Sequence, residues 1–202
     1  PRSTLFPYTT LFRSPFWRAA AIDGGMDEFF AHSGHMAQPY LPEAKWRQQV
    51  RSVLCCERMG RAYLAQSDGD ELDHDARLYA LASFLIGAGE RSVFNYNPAP
   101  AASYGRVYRF PEWDVDLGRP TKQYGDVDEA MAEAAGVYTR RFEHGMVLVN
   151  PSTETRTAPV PRGLRGVGLA GDVTGSGGVL RLMPMGDSVQ LAPHSAAVLV
   201  RE

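Results

Sequence analysis

The chain has 202 residues, 44% of them hydrophobic and 22% charged, with a formal net charge of −2. That length fits one ordinary domain or two small ones, and the composition is that of a chain able to bury a core. The near-neutral balance, with no basic block, argues against a nucleic-acid partner held through phosphates, and the longest apolar runs, such as 78–88, are too short and too polar for a transmembrane helix.

Residues 1–14 show no helical or strand period. Pro7 and Arg13 interrupt their apolar stretch and no small-residue cleavage site follows, so they do not read as a signal peptide. Thr4–Ser14, TLFPYTTLFRS, resembles the in-frame translation of a short-read sequencing adapter. Residues 1–14 are therefore set aside as non-native, and the remainder is expected to be a C-terminal piece of a longer protein.

Phe16–Met26 contains a short apolar stretch running into Asp27-Glu28-Phe29-Phe30, which reads as a buried strand followed by a loop. His32–Pro42 is loop, rich in Gly, His and Pro. Glu43–Met59 has helical spacing, with Ala44, Val50, Val53, Leu54 and Met59 on one face. Pro42 suits its first turn and Gly60 its end. Cys55 and Cys56 lie on this helix. Adjacent cysteines rarely pair, so the expectation is two small helix residues with one buried. Arg61–Gln66 is a second strand, Ser67–Asp73 an acidic loop, and His74–Gly87 a second helix with Leu78, Leu81, Ala82 and Leu85 on one face. Asp73 or Asp75 can cap it. Ser92–Tyr96 is a third strand.

Alternating strands and helices with short connections argue for parallel βαβ units. The strands are short and apolar, as parallel sheets require. Three strands cannot close a barrel, so they read as the last three of one. After a Pro-, Gly- and Tyr-rich connection, a short helix is expected over 126–135. The pattern then turns all-β, with a hairpin over 137–150 around Glu143-His144-Gly145 and strands at 155–160, 167–169, 179–183, 188–191 and 196–200. Gly175–Gly178 reads as a flexible turn. The expected fold class is thus α/β plus all-β: the C-terminal part of a (β/α)8 barrel with its connecting loop over 15–125, then a small antiparallel β-sandwich over 126–202. The β module, built of local hairpins, is expected to fold alone. Residues 16–100, with an open strand edge, are expected to aggregate or be partly disordered.

In parallel barrels the chemistry sits at the C-terminal ends of the strands. Here those ends carry Asp27 and Glu28, then Ser67, Asp68 and Asp70, then Asn95 and Asn97. Two carboxylates flanking one bond are what glycoside hydrolysis needs, one as acid and the other as nucleophile or base. Burial at a strand end can raise a carboxyl pKa into a useful range. Glu28 and Asp68 are the catalytic candidates, and Asp27, Asn95, Asn97 and Trp113 the substrate-binding ones. Asp27 and Glu28 alternate in facing, so only one can point inward. Each candidate has a plainer reading: Asp68 as part of a solvated acidic loop, the asparagines as partners for backbone groups, and Trp113 with its neighbours Tyr104, Tyr108, Phe110 and Tyr124 as packing between domains. His32 and His35 lack a third ligand, so no metal is expected. No strand is followed by a nucleotide-binding glycine fingerprint or a GxSxG elbow, so no cofactor is expected.

Asp23-Gly24-Gly25-Met26-Asp27-Glu28 resembles the "DG…E" strand of bacterial and archaeal glycoside hydrolases with an amylase-like barrel. Phe94-Asn95-Tyr96 and the run 112–120, EWDVDLGRP, resemble their segment after the last strand. Residues 136–152, GVYTRRFEHGMVLVNPS, are similar to the hairpin that opens their C-terminal β domain. The resemblance covers about residues 16–155. It implies strands six, seven and eight of a barrel, a carbohydrate substrate, and Glu28 as the surviving acid, with the nucleophile on an upstream strand. The alternative is a non-catalytic carbohydrate-binding or surface protein on a degenerate barrel.

Overall fold

The computed structural model describes residues 23–98, 108–131, 136–170 and 179–201. The expectations for residues 1–14, for the start of the first strand, for the end of the 126–135 helix and for the Gly175–Gly178 turn lie outside these residues. What is described is mostly β-sheet with two α-helices. Three parallel strands, β1 (Gly24–Asp27), β2 (Ala62–Gly69) and β3 (Ser92–Pro98), lie side by side in sequence order and do not close into a barrel.

Between them run α1 (Glu43–Arg58) and α2 (His74–Gly87). Gly60, at φ 66°, takes the left-handed turn that stops α1, as its position suggested. The Asp73 carboxylate accepts from the Ala76 N–H at 2.9 Å and caps α2. The helices are tied together where the Trp46 indole donates to the Ser83 hydroxyl at 2.8 Å. Cys56 is buried and Cys55 half-buried on α1, and burial pushes the Cys56 thiol up to about 11.

Three expectations are corrected. Ser67–Gly69 continue β2 and are not loop, because Asp68 pairs in register with Asn97 on one side and is bridged by Ser33 on the other. On α1 Ala44 is exposed and Trp46 is buried instead, since the indole needs both the helix face and its Ser83 partner. Where the short helix is described, over Val127–Met131, it is 3-10.

The second half is antiparallel. β4 (Tyr138–Arg141), β5 (Gly145–Asn150), β10 (Ser195–Arg201), β7 (Leu164–Ala170) and β8 (Val179–Pro184) form one sheet in that order. β6 (Arg156–Pro159) and β9 (Ser188–Leu191) form a separate ribbon. Every residue of β5 is buried, and the period of two explains how. Val147 and Val149 share a core with the helices, whereas Met146 and Leu148 pack with Ala158 and Leu191 of the ribbon. The helices therefore lie between the parallel sheet and the antiparallel sheet, and one core runs through both halves. That shared core conflicts with an independently folding β module.

Arg140 of β4 crosses this boundary. Its side chain is fully buried, and Nη1 donates to the carbonyls of Leu85 at 2.9 Å, Ile86 at 3.2 Å and Ala88. These are carbonyls at the C-terminal end of α2, which no intrahelical donor reaches. Burial lowers the guanidinium pKa to about 10, which leaves it charged at neutral pH.

Candidate functional site

Facing along the parallel strands follows from alternation and register. Tyr63, Ala65 and Ser67 point toward the helices, and Gly25, Asp27, Phe94 and Tyr96 share that side through the pairs Gly25↔Tyr63, Asp27↔Ala65, Ala65↔Phe94 and Ser67↔Tyr96. The opposite face carries Met26, Leu64 and Val93 in one row, Gln66 and Asn95 in the next, and Asp68 and Asn97 in the third. The first row is apolar and open, with Met26 47% and Val93 56% exposed. The rows toward the C-terminal ends are entirely carboxylate and amide.

Asp68 is only 2% exposed. Both its oxygens accept from the Ser33 hydroxyl, at 3.0 and 3.3 Å. Beside it, the Asn95 amide donates to the Asn97 side-chain oxygen at 2.7 Å. Between Asp27↔Ala65 and the Ser33↔Asp68 bridge the chain makes an excursion through residues 28–32. Glu28 sits on that excursion and is exposed. Ala31 on it holds φ at 58°, which costs an alanine about 1 kcal/mol. Gln49 of α1 clamps the turn, accepting from the Ala31 N–H at 2.8 Å and donating to the Phe29 carbonyl at 2.9 Å. Close approach is purchased with glycine: a Cβ on Gly34 would sit 2.7 Å from the Gly69 Cα, so only glycine lets this loop press on the end of β2.

The structure thus brings Asp68, Asn95 and Asn97 together on one face, with Glu28 at the same end of the sheet. It does not bring Asp27 or Trp113 to them. Asp27 is buried on the helix side, where it accepts from the Tyr63 hydroxyl. Trp113 packs edge-on against Phe94 and Phe110. Sequence reading passed over Ser33 and Gln66. Gln66 was legible as the strand neighbour of Asp68, but Ser33 lay in a loop without a pattern.

Burial holds the Asp27 carboxyl above its ordinary value of 3.8, against the lowering effect of Tyr63. Between the ordinary and the raised value, the folded chain keeps a proton that the unfolded chain has lost. Its contribution to stability is full below that ordinary value and fades as pH rises through the raised one. Asp27→Asn keeps an oxygen for Tyr63 and removes the titration. The variant is expected to melt above wild type at about pH 7, with the gain vanishing near pH 4. A gain of equal size at both pH values would refute this. His32 has the opposite sign. Its Nδ1–H donates to the Asp68 carbonyl at 2.8 Å, and burial holds its pKa below 6.5, so its contribution is lost as pH falls through that region.

A separate cleft of about 710 Å³ lies between residues 37–43, leading into α1, and residues 151–156, leading into β6, with His194 at its wall. Among the described residues no group of three or more His, Cys, Asp or Glu is placed to hold a metal ion, and no helix is long and apolar enough to cross a membrane.

The parallel sheet thus gathers amides and a carboxylate, hydrogen-bond donors and acceptors, at the C-terminal ends of its strands, the end at which parallel barrels carry their sites. Residues 9–146 match the family described as hypothetical glycosyl hydrolase family 15, and since this is more than half of the chain, the chain belongs to that family. The match begins inside the stretch set aside as non-native. No curated protein matches. Two crystal structures of BuGH86 in complex with neoagarooctaose, one wild type and one a variant, are similar in part. They align at TM-scores of 0.38 and 0.40 with 10% and 11% identity, over 88% of this chain and 37% of theirs. The chain spans less than two fifths of the length of those proteins.

Proposed function

We propose that this chain is the C-terminal part of a glycoside hydrolase, in which upstream strands close the parallel sheet into a (β/α)8 barrel and paired carboxylates cleave a glycosidic bond. The observation that carries this reading is the division of the open sheet face. An apolar row at the N-terminal end and polar rows at the C-terminal end are what a barrel requires, because its interior is packed and its C-terminal rim holds the site. Membership of a glycosyl hydrolase family supports the same conclusion. The excursion carrying Glu28 holds a strained alanine under a dedicated clamp, which is how folds fix functional loops.

In this proposal Glu28 is the acid that protonates the leaving oxygen. Its partner lies on an upstream strand, at roughly 5–10 Å, and acts as nucleophile or base. Asp68, oriented by Ser33, accepts hydrogen bonds from substrate hydroxyls beside the reacting bond. Asn95 and Asn97 supply further donors and acceptors. The chain alone provides one wall of this site and is inactive. Measurable turnover of any glycoside by the 202-residue chain would overturn that statement.

The test uses the longer protein. Glu28→Gln and Asp68→Asn are each expected to lower kcat/KM on its glycoside by at least about 100-fold with unchanged circular dichroism. A variant with full activity loses its role. Sugar binding without turnover in the wild type would favour the non-catalytic carbohydrate-binding reading, which the exposure of Glu28 also accommodates.

A further inference from the structure

The 710 Å³ cleft lies one loop away from the strand rim. Loop 32–40 serves both: Ser33 grips Asp68 at the rim, and a backbone bridge between His32 and Tyr40 returns the chain to the cleft. Within the cleft, the Tyr40 and His194 rings are stacked, 4.9 Å apart and 10° from parallel. Tyr40 is further fixed edge-on by Tyr79 at 5.4 Å and by His32 at 4.8 Å. Each ring covers one face of the other, so together they make a braced aromatic platform at the cleft wall. Around it stand Gln38, Thr153, Glu154 and Arg156. Glu154 and Arg156 form a 2.8 Å ion pair and keep substantial exposure, 70% and 38%. A flat ring face beside a carboxylate, a guanidinium, an amide and a hydroxyl suits a ligand with one C–H face and many hydroxyls. The volume is within the range of small-ligand sites, about 300–1,000 Å³.

Charge narrows the class. Glu43 also lines the cleft, one of its oxygens accepting from the Tyr138 hydroxyl at 2.7 Å. Two carboxylates against one guanidinium disfavour uronic or sulfated sugars. We propose that this cleft is a second carbohydrate-contacting site, separate from the rim, that takes a unit of a neutral saccharide on the Tyr40–His194 platform. The proposal rests on the glycan substrate class assigned above, but not on hydrolysis.

The test is a titration of the 202-residue chain with neutral linear hexasaccharides of the gluco, xylo and galacto series and with an oligogalacturonate, read from the imidazole C–H resonances of His194. The expected result is a saturable shift with at least one neutral series and none with the oligogalacturonate. Thr153→Trp adds bulk from an exposed position and should weaken binding at least tenfold without unfolding the chain. Val93→Ala, an exposed change on the open sheet face away from the cleft, should leave the affinity unchanged. No shift with any neutral hexasaccharide, a stronger response to the oligogalacturonate, or binding that survives Thr153→Trp would each overturn the cleft proposal. None of these outcomes touches the rim reading, which the hydrolysis variants of the longer protein decide separately.

Discussion

Replacing Arg140 with Met is expected to cost about 3–5 kcal/mol of stability, a large part of what a domain of this size has. The methionine fills much of the volume but donates nothing. The carbonyls of Leu85, Ile86 and Ala88 then lose their shared donor at a largely buried site. Each stranded buried acceptor costs about 1–3 kcal/mol. The guanidinium also lies 5.6 Å from the Phe142 ring centre and 5.9 Å from that of Tyr124, contacts that a thioether replaces only in part. Its positive charge at the end of α2 adds a favourable interaction with the helix dipole. Arg140→Lys keeps the charge on a shorter stem with a single donor centre, so an intermediate loss is expected. Urea denaturation of the three proteins decides it. A loss below about 1 kcal/mol for Arg140→Met would show that α2 ends are satisfied without this residue.

The second large effect is expected at the buried pair Arg77–Glu112. The two side chains are each 1% exposed, and Nε meets the carboxylate at 2.7 Å. Arg77 also donates to the Glu71 carbonyl and to His74 Nδ1, and its guanidinium lies 4.3 Å above the centre of the Phe110 ring. It therefore pins the connection after β3 onto α2. Removing one member leaves an uncompensated buried charge, so Glu112→Gln and Arg77→Met should each cost about 3–5 kcal/mol. The pair as a whole is a different matter. Glu112 keeps one buried oxygen without a hydrogen-bond partner among the described residues. Taking both charges away removes two desolvation costs at once. The double variant Arg77→Met with Glu112→Met should therefore be more stable than either single one, with a coupling of at least about 2 kcal/mol. Simple additivity in the double-mutant cycle would refute this account. The exposed pairs of Arg47 and Arg51 with Asp126 and Asp128 carry no comparable expectation, since solvent screens them.

Local signals in the chain were good guides to local structure. α2 runs from His74 to Gly87 as read, with Asp73 the one of two candidate caps that is used, and Gly60 ended α1 because a left-handed residue there is a local requirement. The hairpin around Glu143-His144-Gly145 was legible from two apolar runs and a polar turn. What escaped was set by distant neighbours. β2 runs on through Asp68 because Asn97 and Ser33 flank it, and no window of ten residues contains that information. The same holds for Trp46, whose burial depends on Ser83 and Tyr138. Facing divided the site candidates. Alternation already said that Asp27 and Glu28 could not both look inward, and register assigned Asp27 to the helix side. The Tyr40–His194 platform joins residues from opposite halves and had no signal in the sequence.

The position of α2 also bears on how such chains can be recombined. A cut placed at 126, where the character of the sequence changes, would strip β5 and β10 of the helix that covers Val147, Val149 and Val198. It would also strand Arg140 with nothing to cap. The antiparallel sheet is therefore a poor cassette for grafting between proteins unless the piece is taken from Asp73 onward, so that α2 travels with the sheet that shields it.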